Sequence, residues 1–231
     1  MVIQVRNFNP DNISKLVMVS VEEAIKTNGK ATICVNASDN TLKVIAVLAA
    51  NMPQEVLENL HLFFLDERVY PAGSEDRTDY KVTQEWIKYG PAPKFIHSLI
   101  NDHNQLETSL SVAQKEFDQH VHGKSFDLVI TDIDNDGSFG SLLPESEALT
   151  SEQDIIVIDH PEHPPTRVTY TMKVVVEAKR RVMIALGKSR GAILGRAASS
   201  KYLRKKIPIT YLPKENSSWF VDEDGLFEFF G

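Results

Sequence analysis

The sequence has little of what several classes of protein require. It contains one cysteine, Cys34, among 231 residues, so no disulfide can form within the chain. A single thiol in an apolar run is typical of a reducing compartment, and we expect a cytoplasmic location. No apolar run approaches the roughly 20 residues of a membrane helix, and the first residues, MVIQVRNFNP, lack the apolar core of a signal peptide. We therefore expect neither a membrane anchor nor secretion.

The chain also lacks a long basic stripe. Its formal net charge of −7 disfavours a nucleic acid or an acidic membrane as partner. The densest basic run, KYLRKK at residues 201–206, is typical of the solvated end of a helix. We predict that the protein binds neither nucleic acid nor a membrane.

Short apolar runs alternate with longer amphipathic ones, which favours helices covering a mainly parallel sheet. No repeat or linker divides the chain, and we predict an α/β fold with helices on both faces of the sheet, as a single domain over residues 1–231. The predicted helices are residues 17–26, 41–51, 79–90, 106–121, 173–179 and 190–203. The predicted strands are residues 31–36, 60–67, 126–133, 154–160, 167–172 and 180–187, with a strand-like start to the tail at 208–212.

Acidic residues follow two of the predicted strands. Asp66 and Glu67 end the strand at residues 60–67, where open α/β sheets place ligands because loops converge there at a crevice. The segment TDIDNDGSFGSLLPE follows the strand at residues 126–133 and carries aspartates at alternate positions before a glycine. Both strand ends are candidate sites.

The alternating aspartates partly match a calcium-binding loop. Asp132, Asp134, Asp136 and Gly137 fit its first half, but the position of the closing glutamate holds Leu143 and a strand rather than a helix precedes the loop. Asp and Asn are also common in ordinary turns. A calcium ion bound by the three aspartates and a metal-free polar turn are therefore both open.

Four segments resemble the 6-phosphogluconolactonases of the glucosamine-6-phosphate isomerase/6-phosphogluconolactonase superfamily. LFFLDERVYPAGSEDRTDY is similar to that family's strand and loop with Asp-Glu-Arg, Val and Pro, and FDLVITDIDNDGSFGSLLP to its Asp-Gly-His segment. HPPTRVTYTMKVVVEAKRRVMIALGKSRGAIL is similar to its Arg-Val-Thr segment, and IPITYL with WFVD to its C-terminal segment. Their order and spacing agree from about residue 31 to residue 222.

The resemblance implies a modified Rossmann-like α/β fold. It also implies hydrolysis of 6-phosphogluconolactone in the oxidative pentose phosphate pathway, without a metal or other cofactor. The implied partner is a phosphorylated sugar lactone or sugar acid. Glucosamine-6-phosphate deaminases share the architecture, but the Asp-Glu-Arg and Arg-Val-Thr segments favour the lactonase branch.

The chain departs from the family at the catalytic base. The family's Asp-Gly-His, whose histidine is thought to act as base on the attacking water, corresponds here to Asp136, Gly137 and Ser138. Serine titrates far above neutral pH and cannot act as a general base unaided. The resemblance places the catalytic positions at Asp136, Ser138, Asp66 and Glu67, and we expect weak or absent activity.

A second departure concerns the phosphate. The family's glycine-rich turn is NASDNT here, at residues 36–41, with alanine and serine where glycines stand. Four aspartates would crowd the phosphate: Asp39, Asp132, Asp134 and Asp136. Each repels a phosphate charge ~4 Å away by about 1 kcal/mol in a water-like dielectric and about 4 kcal/mol at an effective dielectric constant near 20. Ordinary lactonase chemistry is therefore compromised.

Several binding positions are retained. The predicted substrate-binding residues are Asn36, Ser38, Arg68, Arg167 and Arg190. Arg190 stands at the family's lysine position and keeps its charge, with an added bidentate fork. For Arg167 an ion pair within the strand end is an equal alternative.

Histidines could replace the missing base. His160 and His163 precede the Arg-Val-Thr segment, but a histidine in a loop is more often solvent-exposed than a base. The other histidines show no catalytic spacing: His61, His97, His103, His120 and His122.

Two functions remain open at this point. One is a diverged lactonase that still hydrolyses or binds a phosphorylated sugar lactone or acid. The other is a non-catalytic pseudoenzyme that works as a binding or partner module, with an unknown protein partner. The simultaneous changes at the base and the phosphate turn support the second function, and the retained arginines support the first.

Overall fold

The computed structural model describes residues 4–162, 166–199 and 206–230, and the following elements lie within them. The strands are β1 (Gln4–Asn7), β2 (Ala31–Val35), β3 (Leu60–Phe64), β4 (Asp66–Arg68), β5 (Phe95–His97), β6 (Leu128–Asp132), β7 (Ile155–Asp159), β8 (Thr166–Tyr170), β9 (Arg181–Ala185) and β10 (Ser217–Val221). The helices are α1 (Pro10–Asn28), α2 (Asp39–Asn51), α3 (Gln54–Leu57), α4 (Thr78–Tyr89), α5 (Leu106–His120), α6 (Met172–Glu177), α7 (Lys188–Ser199) and α8 (Glu223–Phe230).

Two sheets organise these elements. Seven strands form a parallel sheet in the order β1-β10-β9-β6-β2-β3-β5, and three form an antiparallel sheet in the order β4-β8-β7. Helices α1 to α4 cover one face of the parallel sheet, while α5 to α7 and the small sheet cover the other. The predicted α/β fold, mainly parallel with helices on both faces, is confirmed.

Neighbouring residues of β2, an interior strand of the parallel sheet, pack into the two opposite cores. Ile33 and Val35 pack with α1 and α2, whereas Cys34 between them packs on the other face, and all three are completely buried. This alternation is the two-residue period of a strand. Burial, followed by the nearby Asp66 carboxylate, raises the pKa of the Cys34 thiol.

Helix α1 begins seven residues before the predicted start, because its cap lies upstream of its apolar face. The side chain of Asn9 accepts hydrogen bonds from the backbone N–H groups of Asp11 and Asn12, and Pro10 occupies the first turn. Gly29, at φ +75°, ends the helix. No helix within the described residues is long and apolar enough to cross a membrane.

The predicted strand at residues 60–67 is in fact two strands in different sheets. The N–H of Leu65 donates to Val35 in the parallel sheet, but its carbonyl accepts from the N–H of Tyr170 in the small sheet. The chain therefore changes sheet at Leu65, and Asp66–Arg68 pair antiparallel with β8. The predicted strands at 154–160 and 167–172 likewise belong to the small sheet.

The tail prediction at residues 208–212 was wrong. Pro208–Tyr211 form a 3₁₀ turn, and the strand comes later, at Ser217–Val221. The turn is held by a hydrogen bond from the N–H of Ile209 to the carbonyl of Gly137. The end of the predicted helix at 190–203 and most of the basic run at 201–206 lie outside the described residues.

Candidate active site

A crevice of about 1000 Å³ lies at the carboxyl ends of β2 and β6, beside β4 and β8 of the small sheet. It is lined by all but one of the predicted site residues: Asn36, Ser38, Asp66, Arg68, Asp132, Asp134, Asp136, Ser138, Arg167 and Arg190. Because parallel strands end together at one edge of a sheet, residues far apart in sequence meet here.

Glu67 is the residue that does not line the crevice. It is completely buried, and its carboxylate accepts hydrogen bonds from the backbone N–H groups of Arg68, Thr78 and Asp79 at 2.7–3.0 Å. An ion pair joins it to Arg77 at 3.7 Å. Since Thr78 and Asp79 begin α4, the carboxylate stabilises a helix N-terminus. These contacts are structural and leave Glu67 no access to a ligand in the crevice.

Ser138 is held in a tight turn after β6. Its backbone N–H and its hydroxyl both donate to Oδ1 of Asp136, at 2.9 and 2.6 Å. Gly137 has φ +83°, and a Cβ there would lie 2.8 Å from Cγ2 of Ile207, so glycine is required. The Asp136 carboxylate is therefore directed at the side chain of residue 138, as an orienting group for a base would be.

Asp132 is engaged by amides of the turn at residues 36–41. Its carboxylate accepts from Nδ2 of Asn36 at 3.1 Å and from Nδ2 of Asn40 at 3.4 Å. Oδ1 of Asn36 accepts in turn from the hydroxyl of Thr41 at 2.6 Å, and the Ser38 hydroxyl caps α2 through the N–H of Thr41. Asn36, Ser38 and Asp132 therefore tie α2 to the end of β6.

Arg190 is partly fastened to the protein. Its Nε donates to the carbonyl of Ile133 at 2.5 Å and its Nη1 to that of Leu186 at 3.4 Å. Nη2 lies 3.8 Å from the carboxylate of Asp134, whose side chain is 69 % exposed. Only part of the Arg190 fork remains for a ligand.

The three aspartates of the calcium-like pattern do not converge. Asp132 bonds to amides, Asp136 to Ser138, and Asp134 lies beside Arg190. Within residues 4–162, 166–199 and 206–230, the one group of three His, Cys, Asp or Glu ligand atoms within 4.8 Å consists of histidines elsewhere in the fold. The aspartates lack the common focus that a calcium ion needs.

The wall formed by the small sheet is basic. Arg68 on β4 and Arg167 on β8 are register partners, so two guanidinium groups of like charge face the same crevice. Arg167 is 2 % exposed, and its Nη1 has no hydrogen-bond partner. Burial, followed by the charge of Arg68, lowers the pKa of Arg167. Neither arginine forms an ion pair within the part of the chain that the structure describes, although the carboxylates of Asp66 and Glu162 lie near Arg167 and partly compensate its charge.

Thr78 is a second crevice residue that has a buried polar atom without a partner among the described residues. Its Oγ1 and Nη1 of Arg167 are the two buried side-chain atoms without a partner among the described residues, and both residues line the crevice. Buried polar groups are normally satisfied, and each exception needs an explanation. Neither atom has accessible surface, so a ligand in the crevice would reach them only after a side chain moves.

His160 also lines the crevice, while His163 lies outside the described residues. Nδ1 of His160 accepts a hydrogen bond from the N–H of Glu162 at 3.1 Å. Burial, followed by the charge of Arg167, lowers the pKa of His160, so the ring is neutral at pH 7. Its remaining proton then lies on Nε2, which makes the ring a hydrogen-bond donor toward the crevice.

Three further charged residues of the crevice were not predicted: Lys43, Glu162 and Asp222. Asp222 directly follows the apolar strand β10 and accepts from the N–H groups of Gly187 and Gly225. Its place after a strand was a signal that could have identified it. Lys43 is one residue among many on an amphipathic helix, and its sequence gives no such signal.

Comparison with known proteins identifies the family. The family "Glucosamine-6-phosphate isomerases/6-phosphogluconolactonase" matches residues 10–221. The 6-phosphogluconolactonase of Homo sapiens is 27 % identical over 194 residues, which cover 78 % of this chain and 75 % of that protein. A probable 6-phosphogluconolactonase of Schizosaccharomyces pombe is 28 % identical over 223 residues, covering 88 % and 85 %.

A solved structure has the same fold. The 6-phosphogluconolactonase from Shewanella baltica superposes with a TM-score of 0.83 at 18 % identity and covers 96 % of this chain and 98 % of its own. The sequence match over residues 10–221 includes every strand except β1 and every predicted site residue, so the resemblance inferred from four sequence segments is confirmed. This chain belongs to the family of glucosamine-6-phosphate isomerases and 6-phosphogluconolactonases.

Proposed function

We propose that this chain binds a phosphorylated sugar lactone, or the acid formed from it, and hydrolyses the lactone weakly or not at all. The observation that carries the proposal is the pair of register partners Arg68 and Arg167, which line the same wall of the crevice. A phosphate accepts two parallel hydrogen bonds from a guanidinium fork. Each hydrogen bond to a charged group contributes about 1.5–3 kcal/mol.

The basic wall and the acidic loop divide the crevice. Arg68, Arg167 and the donor ring of His160 offer positive charge or protons on one side. On the other side, Asp132 and Asp136 are occupied by protein donors, which leaves Asp134 as the exposed carboxylate of the loop. A phosphate therefore binds at the basic wall, away from the former glycine turn, and avoids most of the repulsion expected from the sequence.

Weak hydrolysis follows from the state of the candidate bases. The Ser138 hydroxyl donates to Asp136 and has no means of accepting a proton near neutral pH. The Nδ1 lone pair of His160 is already used by the N–H of Glu162. Neither group can take the proton of an attacking water in the observed arrangement.

Binding is tested with 6-phosphogluconate, the stable hydrolysis product, by calorimetric titration of the full chain. Arg167→Met should weaken binding about tenfold to hundredfold, the equivalent of one or two charge-assisted hydrogen bonds. Arg180→Met is the matched control, because Arg180 lies at the opposite end of the sheet and pairs with Glu23. Melting temperatures of both variants show that they fold.

Hydrolysis of 6-phosphogluconolactone is followed in the same preparation against the uncatalysed background. A rate close to the background together with binding supports the proposal. Rapid turnover would overturn its catalytic half, and absence of binding would overturn the other half. The latter result would leave a non-catalytic module with a protein partner as the function to pursue.

A further inference from the structure

Three histidines that are distant in sequence meet on the face of the parallel sheet covered by α5. They are His61 on β3, His97 on the edge strand β5 and His120 at the end of α5. One ring nitrogen from each lies within 4.8 Å of the others. His61 pairs in register with Phe95, and Phe63 with His97, so the two strand histidines project from the same face.

The ring nitrogens of the strand histidines point at each other. Nδ1 of His61 and Nε2 of His97 are 2.8 Å apart, and the ring planes differ by 7°. On its other side, Nδ1 of His97 lies 2.9 Å from Oε2 of Glu116. A carboxylate accepts, so the His97 proton is on Nδ1 and the Nε2 lone pair is directed into the cluster. This carboxylate–imidazole pair is the arrangement that orients histidine ligands of metal ions.

The third histidine closes the cluster from the helix. The ring of His120 lies 4.6 Å from that of His61 and 4.9 Å from that of His97, measured between centroids. Its Nε2 is 3.4 Å from the same Glu116 oxygen, one helical turn away. Three imidazoles thus meet between β3, β5 and α5, and the Glu116 carboxylate lies behind the His97 ring.

Burial disfavours the charged form of two of the three imidazoles. Burial, followed by the charge that His97 would carry, lowers the pKa of His61 to about 3. Burial and then His120 lower the pKa of His97, and the Glu116 carboxylate acts in the opposite direction. Lys30, the other cation that influences these rings, acts in the same direction. Neutral imidazoles need lose no proton to bind a metal at pH 7.

We propose that this cluster is a binding site for a divalent transition-metal ion, zinc in particular, with His61, His97 and His120 as nitrogen ligands. Imidazole favours zinc and its neighbours over calcium or magnesium, which prefer oxygen. Tetrahedral zinc with bonds of about 2.0–2.1 Å separates its ligands by roughly 3.3 Å. The 2.8 Å contact between His61 and His97 must therefore widen by about half an ångström, and each ring must tilt by roughly 35° so that its lone pair meets the ion. Glu116 orients His97.

The site is separate from the crevice. None of its four residues lines the crevice, and it joins the three-residue edge strand β5 to α5 and β3. A bound ion would fasten this edge of the sheet. Its role is structural, and it requires no part in lactone chemistry.

The test uses the full chain without an affinity tag, treated with a chelator and titrated with Zn²⁺ alone. We expect one ion per chain and a higher melting temperature, because an ion bound only by the folded state stabilises it. His120→Gln and His97→Gln should weaken Zn²⁺ binding at least a hundredfold, and Glu116→Gln about tenfold. His120 is the safer variant because its side chain is 29 % exposed.

His122→Gln is the matched control, since His122 is an exposed histidine two residues beyond the cluster. It should bind Zn²⁺ like the wild type. Co²⁺ substitution should give the intense visible absorption of a tetrahedral site, and this absorption should be absent in His120→Gln. Failure of the wild type to bind stoichiometric Zn²⁺, or equal binding by wild type and His120→Gln, would overturn the proposal.

Discussion

Two buried arginines on either side of β4 have opposite environments. Arg77 is 1 % exposed, and all three of its guanidinium nitrogens donate to Asp79 or to the carbonyls of Tyr70 and Ile100. Arg167 is 2 % exposed and has an unpaired Nη1. Burying an unpaired charge is costly. The comparison shows that this fold can satisfy a buried guanidinium completely, and Arg167 differs in the way that the proposed anion site requires.

The largest expected effect is on stability and tests this comparison directly. Arg77→Met should lower the free energy of unfolding by about 3–5 kcal/mol, because it removes the ion pairs with the buried carboxylate of Glu67 and the partly buried carboxylate of Asp79. Arg167→Met should cost less than about 1 kcal/mol without ligand, since it removes an unsatisfied charge. Urea unfolding measures both. Equal losses would make Arg167 a structural residue like Arg77 and remove the basis for an anion site.

A gain of activity is the next largest effect. Ser138→His should raise the rate of 6-phosphogluconolactone hydrolysis at least about a hundredfold, since a positioned general base contributes about 10²–10⁴. Asp136 is already placed to orient the new imidazole. Ser138→Asn is the control without a base. If Ser138→His binds 6-phosphogluconate but stays at the background rate, the basic wall holds the ligand out of reach of residue 138.

A smaller effect is expected from pH at the basic wall. The groups that face His160 are Arg167 and Arg68, which lower its pKa, and Glu162 and Asp66, which raise it. The ring is neutral at pH 7.5, and its protonation at Nδ1 requires the hydrogen bond from the N–H of Glu162 to open. A bound phosphate favours the protonated ring. Affinity for 6-phosphogluconate should therefore rise as pH falls toward 6 and be lost as pH rises.

The expected change is about fivefold, because a hydrogen bond from a charged donor is worth about 1 kcal/mol more than one from a neutral donor. His160→Gln shares the titration of the ligand phosphate but lacks that of the imidazole. Calorimetric titrations of both proteins at several pH values separate the two contributions. Parallel pH profiles would show that His160 does not contact the anion.

The smallest expected effect is that of calcium. Millimolar Ca²⁺ should leave the melting temperature unchanged, because Asp132, Asp134 and Asp136 are directed at different partners. Zn²⁺ in the same assay serves as the positive comparison. A calcium-dependent rise that Asp134→Asn abolishes would show that the acidic loop rearranges around a cation.

Much of the scaffold could be predicted from the sequence, because apolar periodicity reports burial directly. The helices at residues 79–90 and 106–121 differ from α4 and α5 by only one residue at the ends. The break at Leu65 could not be predicted, because residues 60–65 are all buried and all but His61 are apolar. Such a run looks like one continuous strand. Only the hydrogen-bond partners of Leu65 reveal that the chain enters a second sheet.

The sequence was sufficient to predict which residues line the candidate site, but not how each side chain is oriented. Strand ends and family segments placed ten residues in the crevice, but they also placed Glu67 there. Neighbouring strand residues point to opposite sides, and the side decides their role. Asp66 lines the crevice, whereas Glu67 accepts hydrogen bonds from the N-terminus of α4. The histidine cluster was not predicted from the sequence, because His61 and His97 are 36 residues apart and only the pairing of β3 with β5 brings them together.

The burial of Cys34 has a practical consequence for measuring all these effects. The thiol lies on the interior strand β2 of the parallel sheet, with no exposed surface and a raised pKa. Thiolate is the reactive form, so a thiol reagent cannot modify the native protein at this position. The rate of labelling then reports how often the whole sheet opens. Labelling of Cys34 by a thiol reagent, followed by mass spectrometry, therefore measures the rate of global unfolding.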